Sequence, residues 1–312
     1  MKIRYKEIAL LLIGIVVLSL GLTALGGVRR DDEDDTLSVV ASFYPMYTAT
    51  LQVVGEVEGV SVHCLTQPTA GCLHDYQLSP AERMTLEKAD LLILNGGGAE
   101  AFLDPVLPQL AASVTDTSEG LVAEECHEHE HHGHEHHGHE HGAGEHGWMS
   151  PSVYAEQVQA ICEALCELDP KNATYYRGNA EGYRRQIDAV GQQLAEVAEQ
   201  LPFDTAVLFH DSATYTAELL GLSVIGSLPI GEEQGFSVAE VKAVADAVKG
   251  RSVLFLYDDQ YVAQQEGLMA YAACSASVAL NSAVLPIDGV PPEKVWLCAM
   301  EKNIQALKEV AV

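Results

Sequence analysis

Residues 172–201, NATYYRGNAEGYRRQIDAVGQQLAEVAEQL, limit more than any other stretch how this chain can fold. Tyr176, Ala180, Tyr183, Ile187, Val190, Leu194, Val197 and Leu201 recur at helical spacing, with polar and charged residues between them. A helix of about 30 residues runs about 45 Å at 1.5 Å per residue. That length suits a rigid connector between two lobes better than an element inside one small lobe. With 312 residues and 48% apolar content, the chain has enough material for a lobe on each side.

Both flanks alternate strand-like and helix-like segments. Before the connector come strands at 37–43, 60–65 and 90–96, and a short one at 112–115. Helices are predicted over about 47–54, 79–89 and 150–169. The helix over 79–89 carries a capping box, with Ser79 as N-cap, Pro80 at the first turn and Glu82 three residues on. After the connector come strands at 205–210, 222–227, 252–259 and 277–282, and helices at 236–250 and 295–310. The first of these helices has a second capping box, Ser237 with Glu240, and Gly250 as its stop. The pattern predicts an α/β fold: two lobes with mostly parallel sheets, joined by the long helix, with a cleft between them. The expected domains are an N-terminal lobe at 37–171, the connecting helix at 172–201 and a C-terminal lobe at 202–312.

Lys2, Arg4 and Lys6 precede an uncharged apolar run from Ile8 to Val28, so residues 1–30 read as an export segment. The run is long enough to span a bilayer. An uncleaved signal-anchor is preferred over a cleaved signal, for which Ala24 and Gly26 supply the small residues. No cysteine follows the run to serve as a lipoprotein attachment site. Residues 31–36, DDEDDT, form an acidic linker. The rest of the chain is therefore expected outside the cytoplasm, in a periplasm or at a cell surface. The net charge of −28 excludes nucleic acid as a partner and favours cations. Seven cysteines leave at least one unpaired. Cys64 with Cys72 and Cys274 with Cys298 are candidate disulfides, whereas Cys162 and Cys166 stand at i, i+4 on one helix, a poor geometry for one.

Ten of the 13 histidines fall between His127 and His146, in HEHEHHGHEHHGHEHGAGEH, within a loop spanning 124–146. Neutral imidazole is the commonest protein ligand for late first-row divalent ions, so this tract points to a transition metal, Zn²⁺ first. Outside it stand only His63, His74 and His210. His63 lies mid-strand and is assigned no role. His74 lies in a loop just before the capped helix, and His146 ends the tract directly before a Ser-Pro helix start. His210 lies at the carboxyl end of a strand, where ligands bind in open α/β sheets. Three imidazoles with a water or carboxylate in fourth place suit Zn²⁺. Asp75 and Asp211 follow His74 and His210 and are placed to steady an imidazole or offset the ion's charge.

These blocks resemble the zinc/manganese solute-binding proteins of ABC importers, the ZnuA-type family. The resemblance rests on GCLHDYQLSPAERMTLEKADLLILNGGGAEAFLD (71–104), HGWMSP (146–151), FHDSATYTAELLGL (209–222), YDDQY (257–261) and WLCAMEKNIQALKEV (296–310), in the family's order. It implies that His74, His146 and His210 hold the metal between the two lobes. It also implies a monomeric receptor, not an enzyme, that passes Zn²⁺ to a membrane permease. Where family members often supply a carboxylate near the last strand, this chain has Asn281. The fourth position is left to water, Asp288, Asp258 or Asp259, and loss of the carboxylate favours Zn²⁺ over the harder Mn²⁺. Two other readings fit the residues. One is a zinc hydrolase, with Glu145 beside His146 as its base, although no His-Glu-x-x-His stands in the chain. The other is a surface adhesin or metal buffer acting through the tract alone.

Overall fold

A computed structural model describes residues 36–66, 73, 76–121, 144–228, 238–261 and 276–311. The export segment, nearly all of the acidic linker and all of the histidine tract up to residue 143 lie outside the described residues. So do His74, Asp75, Cys72, Cys126, Cys274 and Ser237.

Two four-stranded sheets carry the fold. Strands β1 (Leu37–Ala41), β2 (Val60–Cys64), β3 (Leu91–Leu94) and β4 (Ser113–Asp116) lie in the order β2-β1-β3-β4. Strands β5 (Thr205–Leu208), β6 (Ser223–Ser227), β7 (Leu254–Asp258) and β8 (Ala276–Leu280) lie in the matching order β6-β5-β7-β8. Every pairing is parallel. Parallel strands are covered on both faces, which is why β3 reads LLIL and is buried throughout. In each sheet the order reverses beside the first strand, at β1/β3 and at β5/β7. A crevice opens at such a switch point, beyond the carboxyl ends of the strands.

Among the described residues the α-helices are α1 (Tyr44–Val54), α2 (Pro80–Leu86), α3 (Pro151–Leu168), α4 (Ala173–Ala198), α5 (Ala213–Leu219), α6 (Val238–Val248) and α7 (Val295–Val310). Helix α1 begins three residues before its predicted start, because Phe43 is extended and Pro45 takes the first turn. Helix α2 shows both hydrogen bonds of its capping box, Glu82 N–H to Ser79 Oγ at 3.3 Å and Ser79 N–H to Glu82 Oε2 at 2.7 Å. It stops at Leu86 rather than 89, since the chain tightens into turns from Lys88 N–H to Thr85 O and from Ala89 N–H to Leu86 O. At α3 the Ser150 hydroxyl pairs with Ser152 Oγ instead of capping the helix.

The expected connector is α4, 26 residues and about 39 Å long. Its buried face, Tyr176 to Val197, is the one the spacing predicts. It packs against α3 and α1 of the first half and α7 of the second. The alternation of side chains along the strands explains how one core serves both sheets. Val39, Ala41, Leu91 and Ile93 from the first sheet, and Ala206, Leu208, Leu254 and Leu256 from the second, enter the same apolar cluster as α4. The opposite faces feed two smaller clusters, one around Val40, Leu92 and Leu94, the other around Val207, Phe209 and Phe255. By its contacts Leu37–Val312 is one compact unit. No helix among the described residues is long and apolar enough to cross a membrane. Cys64, Cys162, Cys166 and Cys298 are free thiols, and burial pushes the Cys64 thiol up to about 12.

Candidate metal centre

Strand β5 ends at Leu208, two residues before the predicted end, and the chain bends away after Phe209 N–H bonds Leu256 O. His210 therefore stands just past the carboxyl end of β5, at the switch point of the second sheet. Its Nδ1 faces Ser212 Oγ at 2.8 Å and Ser212 N–H at 3.1 Å. The hydroxyl can donate to an unprotonated Nδ1 or accept from a protonated one. The Ser212 N–H can only donate, so these contacts hold Nδ1 as an acceptor and leave the proton of the neutral ring on Nε2. Nε2 becomes a ligand for an ion when that proton is lost or moves to Nδ1.

His146 comes from the other half. Gly147 N–H bonds Gly144 O, and a short 3₁₀ turn at Gly147–Met149 leads into α3. The His146 ring is buried, 5.2 Å from the Trp148 ring centroid and 5.4 Å from that of His210. The two imidazoles stand nearly edge to face, at 82°. Two imidazoles on one tetrahedral Zn²⁺, each bonded at about 2.0–2.1 Å, place their centroids about 5 Å apart. The observed separation is close to that value.

Among the described residues no group of three or more His, Cys, Asp or Glu side chains is gathered to hold a metal. Asp258 is buried and accepts Gln260 N–H at 2.9 Å. Asp259 accepts from Asn281 Nδ2 at 2.7 Å, and desolvation raises its carboxyl. Asp288 is exposed. Asn281 spends its other side-chain atom, Oδ1, on Ala283 N–H at 2.9 Å, and Asn303 holds its backbone on both sides. Asn281 thus serves the local fold of the β8 exit.

Sequence reasoning missed what holds these rings. The Trp148 indole donates to Ser282 O at 2.8 Å, and the Trp296 indole donates to Trp148 O at 2.9 Å. These bonds join the turn of His146 to the second half. Beneath that turn lies a buried polar system built on Asn95 and Glu100, which the run LNGGGAE after β3 marks in the sequence. Glu100 accepts from Ser42 Oγ at 2.6 Å, Asn95 N–H at 2.7 Å and Gly96 N–H at 3.1 Å. Burial without a cation pushes its carboxyl up from 4.5 to about 7, against the lowering by these three donors. Folding therefore takes up a proton here. The stability that Glu100 adds is full below its ordinary range and is lost as pH rises through about 7. Urea unfolding should show the advantage of wild type over Glu100→Gln shrinking by up to about 3 kcal/mol from about pH 5 to about pH 8. An advantage constant across that range would show that Glu100 is not protonated on folding.

The family described as ZnuA, zinc-uptake complex component A, periplasmic, matches residues 39–310. The chain belongs to this family. Among relatives of the ZnuA family, the high-affinity zinc uptake system protein ZnuA of Bacillus subtilis (strain 168) is 27% identical over 292 residues, covering 89% of each chain. The fold is that of a mutant laminin-binding adhesin Lmb from Streptococcus agalactiae, with a TM-score of 0.71, 23% identity and coverage of 88% of this chain and 100% of that one. It is also that of Zn(II)-bound AdcA from Streptococcus pneumoniae, with a TM-score of 0.69 and 21% identity. There the match covers 88% of this chain and 58% of AdcA.

Proposed function

We propose that this chain is an extracytoplasmic zinc receptor that captures Zn²⁺ between its two halves and delivers it to the permease of an ABC importer. The observation that carries this reading is the approach of His146 and His210, one from each half, to a centroid separation of 5.4 Å. Membership of the ZnuA family supports the cargo, as do the zinc uptake and zinc-bound descriptions of its relatives. His74 is the third ligand in this reading, and a water completes the tetrahedron. Capture is ligand exchange: neutral imidazoles replace waters of the ion, and no bond of the protein is broken. The apolar run at 8–28 tethers the receptor to the membrane.

The histidine tract raises the local concentration of metal and is separable from the tight site. Its last residues, from Gly144 on, are already fixed by the fold. Removing residues 127–141 from the full chain should leave a single tight Zn²⁺ site and abolish only weaker binding. Calorimetric titration of the two proteins checks this, and loss of the tight site on deletion would overturn the cleft model.

A further inference from the structure

We infer that Asn95 is a positioning residue for His146: its buried side-chain amide clasps the two peptide carbonyls that immediately precede the ligand. This rests on the reading of His146 as a metal ligand.

Asn95 follows β3 and is fully buried. Its Nδ2 donates to Gly144 O at 3.2 Å and Glu145 O at 3.1 Å, as well as to Gly96 O at 2.8 Å. The Glu145 carbonyl belongs to the peptide whose nitrogen is that of His146. Holding it fixes the rotation of the backbone that carries the imidazole. Asn95 is itself held on every side. Its N–H goes to Glu100 and its backbone oxygen accepts from Thr117 Oγ1 at 3.1 Å. Its Oδ1 accepts from Gln157 Nε2 at 2.9 Å, which sets which end of the amide faces the turn. Gln157 also donates to Ser118 Oγ at 3.2 Å, yet its own Oε1 is buried without a partner among the described residues. An orphaned acceptor of this kind calls for an explanation. Here the explanation is that Gln157 is oriented for its donors, toward Asn95.

The glycines after Asn95 make the clasp possible. Gly96, Gly97 and Gly98 all have positive φ, at 85°, 65° and 97°. A Cβ on Gly97 would stand 2.6 Å from the Gly144 carbonyl carbon and 2.8 Å from the Glu145 nitrogen. Only a loop without side chains lets the two backbones lie against each other at hydrogen-bonding distance from Asn95.

Groups that orient a metal ligand typically change affinity about 10–100-fold when removed. Asn95→Ala in the full chain, purified in detergent, should weaken Zn²⁺ binding by that factor in a competition titration. It should also alter the visible absorption of the Co²⁺-loaded protein. Combined with His146→Ala, it should cause no further loss, because the residue through which it acts is gone. Two results would overturn the inference: wild-type affinity in Asn95→Ala while His146→Ala binds weakly, or an equal loss from Asn95→Ala with and without His146. Wild-type affinity in His146→Ala would instead sink the ligand reading itself. If Asn95→Ala does not fold, Gln157→Ala keeps the Asn95 amide, frees its orientation and is read in the same cycle with the same outcomes.

Discussion

His210→Ala should abolish tight, stoichiometric Zn²⁺ binding, lowering affinity by more than about a hundred-fold. Losing a group that merely orients a ligand costs about 10–100-fold, and losing the ligand costs more. The position is suited to a clean result. His210 lies beyond the end of β5, in a bend held by its neighbours' backbone bonds, Ala213 N–H to His210 O and Thr214 N–H to Asp211 O. Alanine keeps both bonds, so the metal-free protein should melt near the wild-type temperature. Calorimetry on the full chain reads the loss, and His146→Ala and His74→Ala should behave alike. His63, exposed on β2, provides the control, and His63→Ala should bind as wild type does. Tight binding retained by His210→Ala would show that the two facing rings do not share an ion.

Trp296→Ala should destabilise the fold by about 3–5 kcal/mol, the usual cost of emptying a large aromatic site in a core. Trp296 is fully buried on α7 and stacks on Tyr154 of α3 at 4.5 Å and 24°. Tyr154 in turn donates to Pro45 O at 3.0 Å and meets the Tyr183 hydroxyl of α4 at 3.5 Å. One indole thus touches the second half, the first half and, through Tyr154, the long helix. Its N–H also holds Trp148 O, which the truncation leaves buried without that donor. Urea unfolding of Trp296→Ala and Trp296→Phe checks this. Phenylalanine should lose less, because it fills most of the volume and forfeits only the hydrogen bond. A cost under about 1 kcal/mol for alanine would show that the core closes without this residue.

The fold was largely legible because its signals are local. The strands around LLIL and LFLY announce themselves by continuous apolar runs. The connector shows its buried face by spacing alone, and Ser79 with Glu82 marks the start of α2. Boundaries slipped where tertiary context decides. β5 ends early where the chain bends away after Phe209 bonds Leu256, and α2 ends early in tight turns. His146 was readable as a loop residue before a helix start and His210 as the end of a strand, while their approach to each other was implied only by the family resemblance. The clasp at Asn95 was not readable, because its partners Gly144 and Glu145 lie 49 and 50 residues away. The part taken by Asn281 was also hidden. An amide in a ligand's place reads as a weak ligand until its two side-chain atoms are found bonded to Asp259 and Ala283.

The inner faces of both sheets drain into one apolar cluster around α4. A clam-shell opening of the two halves would have to part that cluster, to which both sheets and the long helix contribute. Wide swinging apart is therefore too expensive to accompany each cycle of loading and unloading. If His146 and His210 hold the ion as proposed, its access would fall instead to the short segments that bear these two rings.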